Sequence, residues 1–111
     1  MDNFSNKYLY DILHAINSIE TYFGDKKIFT EYENNDMLQK AVERQIEIIG
    51  EAVSKLLKQK PDLQITNTRR IIDTRNYVIH GYDKVSNVII WGIVINHLPK
   101  LKTEIENLLK E

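Results

Sequence analysis

Apolar side chains return at every third or fourth position along most of the chain, a spacing that restricts it to helices buried by one face. Phe4, Tyr8, Ile12, Ile16, Ile19 and Phe23 form the first stripe; Asp2 or Asn3 can cap it and Gly24 stops it, so a helix is predicted over 4–23. Leu38, Val42, Ile46, Ile49, Val53 and Leu56 form the second, which runs up to Pro61. Thr30-Glu31-Tyr32-Glu33 ahead of it has capping-box spacing, which predicts one helix of about 29 residues. Gly50 interrupts that helix at about 1 kcal/mol relative to alanine, a loss offset if another backbone packs closely there.

Lys60-Pro61-Asp62-Leu63-Gln64 reads as a connection, after which Thr66, Asn67 or Thr68 caps a third helix ending at Gly81. The fourth starts at Asp83 or Ser86. It is apolar on nearly all sides from Val88 to Ile95, then amphipathic through Leu98, Leu101, Ile105 and Leu108, with Pro99 expected to kink it. No useful segment alternates with strand period. The expectation is therefore an all-α, antiparallel bundle of four to five helices in a single domain over 1–111, a length at which roughly two-thirds of the unfolded surface can be buried. Because four helices cannot cover a helix that is greasy all round, a two-fold homodimer is expected.

Formal net charge is −1, so the chain has no global attraction to nucleic acid or acidic membranes, and any polyanion site must be local. There is no cysteine, which removes disulfides and thiolate metal sites and suits a reducing compartment. The apolar run Val88–Ile95 is far below the ~20 residues needed to span a bilayer, and Met1-Asp2-Asn3-Phe4 lacks a signal-peptide pattern. A cytoplasmic protein without a membrane partner is expected.

Against this background Arg75-Asn76-Tyr77-Val78-Ile79-His80-Gly81-Tyr82 stands out, because it sets an arginine and a histidine among Ile71, Ile72, Val78 and Ile79 at core-facing spacing. An unpaired buried guanidinium costs several kcal/mol. Either a carboxylate such as Glu47 or Glu51 neutralises Arg75, or this face lines a wet cleft where an anion binds. Arg75 and His80 lie about 140° apart around an ideal helix, whereas Asn76 and His80 share a face, so Asn76 can hold the imidazole. Arg75 reaches the same point only if the helix loosens near Gly81 or a second subunit supplies its own copy. Arg69, Arg70 and Lys84 raise positive charge locally and are candidate RNA contacts. The set suits metal-free cleavage of an RNA phosphodiester: an imidazole exchanges protons with the attacking 2′-hydroxyl or the departing oxygen, and a guanidinium stabilises charge on the phosphate.

Residues 75–82 match an Arg-x4-His-x-Tyr signature, and this stretch resembles the HEPN-domain family, in particular its HepT-like toxins. Arg44, Glu47 and Gly50-Glu51-Ala52, together with Trp91 and Leu98-Pro99-x-Leu101, extend the similarity over most of the chain. The resemblance implies a helical homodimer with Arg75 and His80 as catalytic pairs in a cleft between protomers, cutting RNA without a metal or cofactor. It also implies a type VII-like toxin–antitoxin pair, in which a small nucleotidyltransferase antitoxin transfers AMP from ATP to Tyr82 and blocks the cleft by bulk and negative charge. The alternative is a non-catalytic helical module that partners a nucleotidyltransferase or binds nucleotide. His14 and His97 have no ligand-spaced partner and read as ordinary surface or core-edge residues. Glu43, Glu47 and Glu51 form a carboxylate row that reads as a solvated or salt-bridged face rather than a metal site.

Overall fold

Helix α1 (Asn3–Phe23) begins where Asp2 accepts a 2.7 Å hydrogen bond from the Ser5 amide and ends where Gly24 takes φ 68° and donates to the Glu20 carbonyl. In this computed structural model residues 1–80 and 86–110 are described, and among them there is no strand. After α1 come α2 (Phe29–Glu33), α3 (Asp36–Gln59), α4 (Thr68–His80), α5 (Asn87–Gly92), a π-helical turn (Ile93–His97) and α6 (Leu98–Lys110). The last three run on without a break, so the bundle has five helical bodies, one of them a single short turn. No helix of the described residues is long and apolar enough to cross a membrane.

The single long helix expected after Thr30 is in fact two. Thr30 lies inside α2, and the start of α3 is capped instead by Asn35, whose side chain accepts from the Leu38 amide at 3.0 Å. The buried Gln39 amide stabilises the break by donating to the carbonyls of Tyr32 (3.0 Å) and Glu33 (2.9 Å) in the last turn of α2. At the other end, Ser86 rather than Asp83 caps α5, accepting from Ile89 at 3.4 Å. Pro99 has no N–H to donate, and its ring crowds the turn before it. The chain answers with the wide π turn, in which the Leu98 amide donates to Ile93, five residues back.

Lys60, at the end of α3, ion-pairs with Asp2, at the start of α1, at 3.1 Å, so these two helices are antiparallel. Ile12, Ile16 and Ile19 of α1 and Ile46, Ile49, Val53 and Leu56 of α3 are all but fully buried in one core, which Ile90, Leu101 and Ile105 complete. Trp91 packs on Phe23, Phe29 and Tyr32 at ring-centre distances of 5.4–5.8 Å and locks the short α2 against α5. The resulting slab measures 41 × 32 × 19 Å, only about two helix diameters thick. The last helix is accordingly buried on one side alone: Ile90, Ile93 and Val94 face the core, while Val88 (67% exposed), Ile89 and Ile95 are uncovered.

Candidate active site

Arg75 is set by a close approach between α3 and α4 at Gly50. A Cβ added to Gly50 would collide with Cβ and Cγ of Arg75 and sit 3.4 Å from the Ile71 carbonyl. The close neighbour expected opposite Gly50 is therefore chiefly the aliphatic stem of Arg75, lying flat on the bare helix. The stem is fixed at its near end, and Nη1 is fixed at the other by donating to Asn76 Oδ1 at 2.9 Å. Arg75 Nε is buried and has no hydrogen-bond partner among the described residues.

Neither glutamate expected near Arg75 is paired with it. Glu47 binds Arg44 at 3.1 Å and Glu51 binds Lys55 at 3.2 Å, each within one turn of its own helix, where a local partner costs less side-chain ordering than a cross-helix one. Among the described residues no carboxylate lies within ion-pair distance of the Arg75 guanidinium. Of the two fates open to this arginine, ion pairing or a cleft that takes an anion, the first is not seen among the described residues.

The Asn76 carbonyl oxygen steadies Arg75, and no hydrogen bond joins Asn76 to His80 among the described residues. The reason is angular: Asn76 lies between the two around the helix, about 100° from Arg75 and about 40° from His80, and the guanidinium is long enough to reach back to it. His80 is the exposed last residue of α4, which stays helical up to that point. Regular geometry keeps the ~140° divergence of Arg75 and His80, so a single chain presents them on different faces of α4 rather than side by side. Tyr82 and Lys84 lie outside the described residues.

Arg69 and Arg70 border an open concavity of about 530 Å³ between α4 and α5, with Asn67, Asp73, Tyr77 and Ile89. Arg69 is almost fully exposed and pairs with Asp73 at 3.3 Å; Tyr77 accepts a 3.2 Å hydrogen bond from the Ser86 amide, tying α4 to the start of α5. Asn67, at φ 58°, points its amide at His97 Nδ1 across 3.3 Å. Burial, and then the positive charge of Arg70, hold the His97 pKa below its ordinary value, which favours the neutral ring. Sequence reasoning missed Tyr77 and Asn67 here. Helical spacing from Arg69 and Asp73 to Tyr77 was the available signal for the first; nothing local marked the second, whose partner is thirty residues away.

The Ribonuclease HepT-like family profile matches residues 12–108, a stretch that contains every described element of this site. A protein of Methanocaldococcus jannaschii named as a candidate RNase is 35% identical over 101 residues, covering 89% of this chain and 91% of its own. A second from that organism, named likewise, is 36% identical over 108 residues, 94% of this chain and 86% of its own. One from Thermococcus cleftensis, named as a probable ribonuclease HepT, is 33% identical over 107 residues, 93% and 94% of the two chains. No solved structure matches the chain significantly. With the all-α bundle, the Gly50-seated arginine and a match over nearly its full length, the chain belongs to the Ribonuclease HepT-like family.

Proposed function

We propose that this protein is a homodimeric, metal-independent endoribonuclease, the toxin of a type VII-like toxin–antitoxin pair, with Arg75 and His80 as its catalytic residues. The observation that carries the reading is the seating of Arg75: a partly buried guanidinium clamped on Gly50, aimed by a neutral amide, with no carboxylate partner among the described residues. Such a group is preorganised to meet an anion. Two relatives named as candidate RNases and a third named as a probable ribonuclease HepT give that anion its class, an RNA phosphodiester.

In the proposed reaction the His80 imidazole takes the proton of a ribose 2′-hydroxyl, whose oxygen attacks the adjacent phosphorus. The bond to the 5′-oxygen breaks, that oxygen takes up the proton His80 has acquired, which returns the imidazole to its starting form, and a 2′,3′-cyclic phosphate and a free 5′-hydroxyl remain. Arg75 donates to the non-bridging oxygens as charge builds on them. Since the two groups diverge around α4, a second protomer closes the constellation, and the uncovered Val88 and Ile95 supply an apolar surface for it. Regulation is assigned to a nucleotidyltransferase antitoxin, which transfers AMP from ATP to the Tyr82 hydroxyl with release of pyrophosphate.

His80→Ala tests the reading. RNA cleavage by the purified dimer is expected to fall by about 10² to 10⁴-fold, while stability shifts by no more than about 0.5 kcal/mol because the side chain is exposed. Cleavage by the parent protein should persist in EDTA. A His80→Ala protein that cuts RNA at the parent rate, or loss of parent activity on chelation, rules the mechanism out; a parent protein that cuts no RNA leaves a non-catalytic binding module.

A further inference from the structure

The concavity beside Arg69 and Arg70 has a composition that a phosphate site alone does not need. Its floor is largely apolar, made by the Tyr77 ring and the 41%-exposed Ile89, and its rim carries two guanidinia and one carboxylate, Asp73. A patch that attracted only phosphate would gain nothing from an aromatic floor; a nucleotide, which joins a flat π-surface to a phosphate, uses both. At about 530 Å³ the space falls within the ~300–1,000 Å³ of small-ligand sites.

The position of the concavity follows from helical geometry. Arg69, Asp73 and His80 share one face of α4 to within roughly 40°, Tyr77 lies about 60° from His80, and the rise from Arg69 to His80 is about 16 Å. A few nucleotides of extended single strand cover that span. We propose that this concavity is a subsite for a nucleotide flanking the scissile bond, with its base stacked on Tyr77 and its phosphate held by Arg69 and Arg70. The proposal rests on the ribonuclease reading above and adds where the strand runs.

Three features fit the subsite to that ligand. The Arg69–Asp73 pair is solvent-exposed at 3.3 Å, a weak contact that an incoming phosphate exchanges readily. The Tyr77 hydroxyl is engaged by the Ser86 amide, which fixes the ring without using its π-face as a hydrogen-bond acceptor. The Asn67 amide is committed to His97, a ring that burial and Arg70 favour as neutral, so Asn67 Oδ1 remains to accept from a base edge.

The test compares cleavage of a mixed-sequence single-stranded RNA of about twelve nucleotides with cleavage of mixed dinucleotides, which have a scissile bond but no flank. For Tyr77→Ala the ratio of kcat/KM on the longer RNA to that on the dinucleotides should fall about tenfold, and Tyr77→Phe, which keeps the ring, should restore most of it. Arg70→Glu, at an exposed position, should lower the same ratio and flatten the salt dependence of KM by about one phosphate contact. If Tyr77→Ala does not fold, Arg70→Glu and the Phe variant decide. Equal losses on both substrates, parent-like ratios in an active enzyme, or dissociation of the dimer by Arg70→Glu each overturn the subsite while the nuclease stands. A parent protein that cuts neither RNA removes both.

Discussion

Gly50 and Arg75 compete for the same volume: the α-carbon of one and the side-chain stem of the other are so close that any Cβ at position 50 overlaps Cβ and Cγ of the arginine. The atoms in the way are the near end of the side chain, which cannot swing aside without moving α4. Gly50→Ala gains up to about 1 kcal/mol of helix propensity but overpacks a helix–helix contact at a cost of about 1–3 kcal/mol. A net loss in urea unfolding is expected, with a larger proportional loss of cleavage because Arg75 is displaced. A Gly50→Ala protein as stable and as active as the parent contradicts this packing.

Asn76 reaches Arg75 with a neutral oxygen, and its neutrality leaves the guanidinium charge available. Asn76→Asp would place a carboxylate 2.9 Å from Nη1, forming the internal ion pair that Glu47 and Glu51 do not make. Stability is expected to hold or rise while cleavage drops by about tenfold or more, the phosphate having lost its donor to an internal competitor. Parallel melting curves and cleavage rates check the opposed signs.

The α1 cap titrates in acid. Its carboxylate, Asp2, is held down at a pKa of about 2, first by the hydrogen bond from the Ser5 amide and then by Lys60, against an ordinary value of 3.8. A folded-state pKa below the unfolded one means that the contribution is fully present above the unfolded value and is lost as pH falls from 3.8 towards 2. The difference in urea midpoint between the parent and Asp2→Ala should be constant at neutral pH and should shrink through that acid window. A difference that persists unchanged to the bottom of the window assigns the effect to something other than this carboxylate.

If the open side of the last helix meets a second copy, Val88→Glu puts a charge in the contact without touching the core, since Val88 is 67% exposed. Sedimentation should show the parent as a dimer and the variant as a folded monomer, with cleavage lost along with the dimer. A monomeric parent that cuts RNA removes the need for the partner.

Much of this architecture was written in local patterns. The α1 stripe, the Gly24 stop, the Ser86 cap and the response to Pro99 depend on residues within a turn or so of one another, and spacing exposes them. The break between α2 and α3 was not legible, because helical apolar spacing continues on both sides of it and the group that stabilises it, Gln39, acts through a side chain that could equally have faced water. The site divides in the same way. That Arg75 is out of place in an apolar stripe is a one-dimensional fact, and so is the glycine that receives it; which residue steadies the guanidinium is settled by reach, and spacing alone does not single out Asn76 for it. The concavity needs Ile89 of α5 beside Tyr77 of α4, an approach between two helices that spacing within either one does not reveal.

The π turn before Pro99 has an effect beyond relieving one crowded carbonyl. It takes up one residue more than an α turn, so the apolar seam carried by Leu98, Leu101 and Ile105 is rotated relative to the seam of Ile90 and Val94 by about a residue's angular step of 100°. A single continuous rod thereby has two phases, its first half aimed at the aromatic corner and its second at the flank of α1. Removing one residue from Ile93–His97 would restore an ordinary helix and turn one half away from its groove, so this small irregularity sets how the two ends of the rod are aligned.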